Sequence, residues 1–324
     1  MARPRNSTST GTRTRGNPGP APTAPAKTAA GAPRRRALLT GAAALGAAAA
    51  LGAASGCSRV TTAGDGDGGQ LLERLRAQGR VRLGLAGEQP YGYIGKDGRM
   101  TGSAPAVARR IFRALGVDEV EPFPTEFGSL IAGLNSLQFD VVAAGMYITP
   151  ARCRQVIFAE PEYRMLSAFV VPKGNPRGLR SYEDVARSGA RLATGVGYAE
   201  IAYAEAAGVR SVRALPDQLA GLLAVEQGRA DVFAGTAVAV RKVVRESGST
   251  RIEATDEVTP YVDGEPVVDM GAFAFRTPET GLRDAFNREL RALKRSGELL
   301  EIMRPFGFTE KQMTTGTAEE KCRP

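Results

Sequence analysis

The sequence predicts an α/β protein of two lobes, each a mostly parallel sheet covered by helices. Three observations predict it. Short apolar strand-like runs alternate with helix-like segments from about Leu71 onward. The alternation comes in two comparable sets, which places a cleft between them. Glycine turns stand directly at strand ends, as at Gly145, where binding residues concentrate.

Taken in order, Val81–Ala86 reads as a strand. Lys96-Asp-Gly-Arg99 reads as a hairpin turn, because Asp-Gly supplies positive φ angles. Ala106–Leu115 is a helix stopped by Gly116. Glu119–Phe123 is a second strand, Ser129–Leu137 a second helix and Phe139–Ala144 a third strand. In the second set, Leu166–Val171 is a strand ending at Pro172-Lys-Gly-Asn-Pro176. Arg191–Val196 leads into a helix over Ala199–Ala207. Val212–Leu215, Ala230–Ala234 and Ala272–Arg276 are strands. Gln218–Gln227 and Val238–Glu246 are helices, and Asp217 after Pro216 caps the first of them. Leu282–Lys294 and Glu298–Met303 close the chain in helices. No short repeat of fixed period is present.

The formal net charge of +9 over 324 residues comes almost wholly from one end. Residues 1–56 hold eight Lys or Arg and no Asp or Glu, which leaves 35 basic and 34 acidic side chains for the rest. The high pI is therefore no sign of nucleic-acid binding. Residues 1–33 are Ser-, Thr-, Gly-, Pro- and Ala-rich and bury too little to fold. Arg34-Arg-Arg36 precedes a weakly apolar Ala/Gly run that is a poor bilayer span. Basic region, apolar region and small residues make a secretory signal, with paired arginines pointing to the twin-arginine route. Ala54-Ser-Gly-Cys57 resembles the processing site of bacterial lipoproteins, with Ala54 where leucine is usual. The resemblance implies that Cys57 becomes a lipidated N-terminus, anchored at the outer face of the cell membrane. Ser58–Gly69 reads as a flexible spacer. Cys153 and Cys322 remain, either as a disulfide suited to an exported domain or as two free thiols.

The stretch Ala144-Gly-Met-Tyr-Ile-Thr-Pro-Ala-Arg-Cys153 carries the chemistry. A buried strand ends in a glycine turn, followed by an aromatic, a threonine and an arginine at a helix start. An arginine so placed can hold a carboxylate through two parallel hydrogen bonds. Enzyme chemistry has little support. There is no histidine, so the commonest general base is missing. The three cysteines lack zinc spacing. Gly195-Val-Gly197 is too short for a dinucleotide fingerprint. Neither a cofactor nor a metal is expected, and no catalytic residue is assigned.

From about Leu71 to Thr309 the chain resembles the extracytoplasmic solute-binding proteins of ABC importers, in the group taking polar amino acids. Gly102, Ser129-Leu-Ile-Ala-Gly-Leu134, Phe139-Asp-Val-Val-Ala-Ala-Gly-Met146 and Gly228-Arg-Ala-Asp231 carry this likeness. Within that group it looks most like ectoine- and hydroxyectoine-binding proteins. That narrower likeness rests on Glu88-Gln-Pro-Tyr-Gly-Tyr-Ile94, Gly102-Ser-Ala-Pro-Ala-Val107, Thr125-Glu-Phe-Gly-Ser-Leu130, Gly145–Cys153, Asp263-Gly-Glu-Pro266 and Gly271-Ala-Phe-Ala-Phe275. The resemblance implies a periplasmic-binding-protein-like type II fold, with lobes joined by two crossovers that close on ligand like a hinged trap. Its domains would be a leader over 1–56, a linker over 57–69, lobe 1 over 70–161 and 277–324, and lobe 2 over 162–276.

The resemblance also implies roles. Amino-acid binders of this group usually place an aspartate for the ligand's α-ammonium where Thr236 stands here. Ectoine has no α-ammonium; its cation is spread over a cyclic amidine and its anion is a carboxylate. Arg152 would hold the carboxylate. Gly145, Thr149 and backbone N–H groups near Gly197–Ala199 would add donors. Tyr91, Phe127 and Tyr147 would supply aromatic faces, each worth about 0.5–2 kcal/mol to a cation. Glu88 and Glu200 would accept from ring N–H groups, with Asp217 a secondary contact. The expected partners are this zwitterion and a permease, with the binding protein a monomer. The alternatives are a glutamine- or arginine-type binder and, on the same fold, a dehydratase-like enzyme.

Overall fold

A computed structural model describes residues 70–323 of the chain. The leader, Cys57 and the spacer lie outside the described residues. The elements run α1 (Gln70–Gln78), β1 (Arg80–Leu85), β2 (Tyr93–Ile94), β3 (Met100–Thr101), α2 (Ser103–Ala114), β4 (Glu119–Pro124), α3 (Leu130–Asn135), β5 (Val141–Tyr147), α4 (Pro150–Cys153), β6 (Ile157–Phe158) and β7 (Tyr163–Met165). Next come β8 (Ser167–Pro172), α5 (Tyr182–Ser188), β9 (Leu192–Gly195), α6 (Glu200–Ala206), β10 (Val212–Leu215), α7 (Gln218–Glu226), β11 (Val232–Thr236), α8 (Ala237–Ser247) and β12 (Ile252–Ala254). The chain ends with β13 (Tyr261–Val262), β14 (Glu265–Pro266), β15 (Asp269–Phe275), α9 (Thr280–Ser296), α10 (Glu298–Met303) and α11 (Ala318–Cys322).

Two sheets organise these elements. The first has the order β4-β1-β5-β15-β6, with β7 also paired to β15; the second is β10-β9-β11-β8-β12. β1 pairs in parallel with β4 and β5, and β9 in parallel with β10 and β11. β15 and β8 run antiparallel to their neighbours. Every residue of β5 is buried, as expected of a strand with both faces covered. Phe112 and Phe273 pack on Phe286 of α9 on one face of this sheet. Leu130, Leu134 and Phe139 cover the other. In the second lobe, Tyr182 and Val185 of α5 and Tyr203 of α6 pack with Phe169 and Val232. Leu222 of α7 and Val240 of α8 belong to the larger cluster that continues into the first lobe.

The expected span of the second lobe, 162–276, is corrected at both ends. β7 and β15 are hydrogen-bonded into the first sheet, with Gly271 opposite Tyr147 and Asp269 opposite Met165. The crossings between sheets therefore lie at Leu166 and at Val267–Val268. An isolated apolar strand carries no mark of which sheet it joins, so its partner is settled by packing. The helix expected over Ser129–Leu137 is a 3₁₀ turn at Phe127–Ser129 followed by α3. Sequence reading missed α1, α5, α11, the short strands β6, β7 and β12, and the β13–β14 hairpin. The hairpin turn at Asp263-Gly264 has φ values of 52° and 83°, the geometry that Asp-Gly favours. Among the described residues no helix is long and apolar enough to cross a membrane.

Candidate functional site

The parallel strands aim their C-terminal ends at the space between the sheets, where open α/β sheets place their ligands. Glu88 and Tyr91 follow β1, Phe127 follows β4, and Gly145 and Tyr147 end β5. Tyr198 and Glu200 follow β9, and Thr236 ends β11. One cavity is lined by Glu88, Tyr91, Phe127, Gly145, Tyr147, Arg152, Tyr198, Glu200, Gln218 and Thr236, among others. The unfilled space is only about 30 Å³, because side chains of the two lobes meet across it. The Tyr91 and Thr236 hydroxyls lie 2.6 Å apart. Gln218 Nε2 donates to the Gln89 carbonyl at 2.8 Å. The Tyr198 hydroxyl donates to Glu88, and the Phe127 and Tyr198 rings meet edge to face at 5.2 Å.

Arg152 reaches this space from α4. Thr149 starts that helix, its hydroxyl accepting from the Arg152 N–H at 3.3 Å. The guanidinium donates to the carbonyls of Tyr147 (2.6 Å) and Gly197 (2.9 Å) and lies 5.3 Å from the centre of the Phe127 ring. Its hydrogen-bond partners are neutral, so its charge remains available to an anion. Desolvation lowers its pKa, opposed by the nearby charges of Asp269 and Glu200.

Gly145 explains how the rings fit. Its φ is +67°, and a Cβ there would stand 2.4 Å from the Tyr91 ring. Only glycine meets both demands. Tyr91 in turn stacks on Tyr163 at 6.0 Å. The Tyr147 hydroxyl is buried with no hydrogen-bond partner.

The acids are held against their charge. Burial pushes the Glu88 carboxyl up to about 8, with the Tyr198 hydrogen bond opposing and the charges of Asp217 and Glu200 adding. Burial and then the charge of Asp269 push Glu200 up to about 7. Glu200 Oε1 is buried with no partner. Its place in the first turn of α6 gives its charge a helix N-terminus but no side-chain cation at contact distance. The cavity thus holds one guanidinium and two buried acids without an ion-pair contact, Glu200 feeling the Arg152 charge at longer range, between aromatic faces. That set complements a small ligand with an anionic end and a flat, N–H-bearing cationic end.

Of the residues singled out in the sequence, Glu88, Tyr91, Phe127, Gly145, Tyr147, Arg152 and Glu200 come together at this cavity. Thr149 and Asp217 are not among its lining residues, and Asp217 caps α7 as expected. Their side-chain oxygens are engaged as helix caps, Asp217 accepting from the Ala220 N–H at 2.7 Å. Sequence reasoning missed Tyr198 and Gln218 as lining residues. Tyr198 follows Gly195-Val-Gly197 as Tyr147 follows Gly145, so the same cue was present. It also missed Asp269, whose carboxylate accepts from the Tyr203 hydroxyl and whose second oxygen is buried without a partner. No local pattern marks that aspartate. Among the described residues no cluster of three or more His, Cys, Asp or Glu is placed to hold a metal ion.

The model of the bacterial extracellular solute-binding proteins, family 3, matches residues 81–309. A probable amino-acid ABC transporter periplasmic-binding protein of Sinorhizobium fredii, y4tE, is 33% identical over 262 residues, 79% of this chain and 87% of the relative. The L-cystine-binding protein TcyA of Bacillus subtilis is 28% identical over 236 residues, covering 72% and 83%. Among solved structures, EhuB in complex with hydroxyectoine superposes with a TM-score of 0.73 at 36% identity, covering 79% of this chain and 99% of that one. An ancestral arginine-binding protein bound to glutamine gives a TM-score of 0.62 at 28% identity, covering 71% and 98%. A two-lobed fold with its polar pocket between the lobes, matched along most of its length, places this chain among the bacterial extracellular solute-binding proteins, family 3.

Proposed function

We propose that this protein captures ectoine or hydroxyectoine outside the membrane and delivers it to the permease of an ABC importer. The observation that carries the reading is the lining of one cavity. Arg152 stands with Tyr91, Phe127 and Tyr147, and with Glu88 and Glu200 lacking cationic contacts. Arg152 takes the ligand carboxylate in place of its two carbonyl partners. The aromatic rings flank the delocalised cation, and the acids accept from its N–H groups as charge-assisted bonds. The lobes close because the closed form makes contacts that the open one lacks. Thr236, a neutral residue hydrogen-bonded to Tyr91, supports the cyclic amidine over an α-ammonium. The hydroxyectoine complex of EhuB supports it further.

The second reading is an α-amino acid, favoured by relatives that carry amino-acid and cystine names. Calorimetric titration of the exported protein with ectoine, hydroxyectoine, glutamine, arginine and cystine separates them. The expected result is tight binding of the first two alone. Tight binding of an amino acid with none of ectoine overturns the first reading. The ligand is returned unchanged, and chromatography of it after hours with the protein tests for turnover. In the same reading Cys57 carries lipid at the outer face of the membrane. Cys57→Ala should then release the protein into the medium.

A further inference from the structure

Arg152 stands on a helix of only four residues, none of them buried. A single turn does not hold itself, since nucleating a helix fixes several dihedrals for one hydrogen bond. Locally α4 has the Thr149 cap and two N–H bonds to the Thr149 carbonyl, from Arg152 at 3.0 Å and Cys153 at 2.9 Å. The Arg152 carbonyl also accepts from the Gln155 and Val156 N–H groups at 2.9 and 3.1 Å, and the guanidinium holds the Tyr147 and Gly197 carbonyls. A further restraint is covalent. Cys153, the next residue after Arg152, is bonded to Cys322, 169 positions away. Cys322 ends α11, which packs on α4. α11 is itself closed by a reciprocal cap: Thr317 Oγ1 accepts from the Glu320 N–H, and Glu320 accepts from the Thr317 N–H.

The segment leading to α11 is tied to the strands beside both crossings. Phe308 packs on Tyr163 and Tyr91 at 4.9 and 6.3 Å. The Lys311 carbonyl accepts from Arg164 Nε of β7 at 3.1 Å. Gly316 passes so close to β15 that a Cβ would stand 2.3 Å from Met270 Cε. The C-terminal segment is therefore a strap over the hinge side of the first lobe, and its far end is bonded to the helix that carries the ligand-facing arginine.

We propose that the Cys153–Cys322 bond positions Arg152, so that binding of the ligand carboxylate depends on the oxidised strap. The bond acts through α4 and does not touch ligand; Cys153 and Cys322 are positioning residues. Holding α4 in place before binding removes the ordering cost that a loose turn would charge against each binding event. The inference rests on the assignment of the ligand carboxylate to Arg152.

The test uses the exported protein as wild type, Cys322→Ser, Arg152→Lys and the double variant, with a reduced and alkylated wild-type sample in case Cys322→Ser does not fold. Ectoine affinity is measured at low temperature, where circular dichroism shows each sample fully folded and a change in global stability leaves Kd unmoved. Loss of the bond should weaken binding about tenfold, the size of a modest preorganisation effect. In the Arg152→Lys background the loss should be smaller, because the shorter, non-planar cation gains less from placement. Hydrogen exchange read at seconds to minutes should show the α4 amides opening while β5 stays protected. Unchanged affinity in a wild type that does bind ectoine, or unchanged exchange at α4, overturns the proposal. If the wild type binds no ectoine, the functional reading fails, and the exchange measurement alone decides whether the bond orders α4.

Discussion

At the scale of single residues the site is a contest between burial and charge. Among the described residues Arg152 is the one cation lining the cavity. Arg152→Ala should abolish ectoine binding in calorimetry, because no other side chain there can pair with a carboxylate. Phe127→Ala should weaken binding by about 1–3 kcal/mol, through lost burial and lost cation–π attraction. The acids set a pH dependence whose sign follows from their raised pKa values. Folded Glu88 and Glu200 keep their protons up to about 8 and about 7, above the ordinary 4.5. The folded chain therefore holds more protons than the unfolded chain between those values. The contribution of these two acids to the stability of the free protein is fullest below about 4.5 and is lost as pH rises towards 8. A bound cation favours the ionised acids, so binding releases protons and ligand stabilisation grows over the same range. Thermal melts at several pH values between these limits, with and without ectoine, should show the two trends crossing. A ligand-induced shift that shrinks with rising pH would count against a cation at the acids.

At the scale of elements, strand ends and helix starts do most of the placing. Tyr147 and Tyr198 each stand just past a glycine at the end of a buried strand, and Glu200 opens α6 in the same place. Capping side chains hold these starts without reaching the cavity. Asp217→Ala should therefore lower stability by about 1 kcal/mol in urea unfolding and leave ectoine affinity unchanged. A large loss of affinity would mean that Asp217 acts at the ligand and not only on α7. The same reasoning accounts for what could be read in the chain. Long apolar runs such as Val141–Tyr147 and capped helices such as α7 show in a sequence, since their causes are local. α5 carries local cues of the same kind, a Ser181 cap and a left-handed Gly189 at its end, and was as legible as α7; α1, short and charged, gains its stability from packing against the fold more than from its own residues.

At the scale of the whole molecule, closure decides the chemistry. Tyr91 and Thr236 come from different lobes, and their hydroxyls meet across the cleft at 2.6 Å. A ligand with an α-ammonium would find no acid at Thr236. Thr236→Asp should shift preference from ectoine towards an α-amino acid, measured as the ratio of their dissociation constants. An unchanged ratio would mean that discrimination resides elsewhere in the cleft.

By itself the sequence determined the alternation of strands and helices, the two lobes, and the aromatic, basic and acidic residues that line the cavity, because each is written in local pattern or in resemblance to a family. Only the tertiary structure decided that β7 and β15 join the first sheet. It also decided that Thr149 caps α4, that Tyr198 and Gln218 cross the cleft, and that Asp269 lies among the site's charges. The physical reason is common to all of these. Strand partners, cross-lobe hydrogen bonds and buried charge neighbours join residues far apart in the chain, and their energies depend on which surfaces packing brings together.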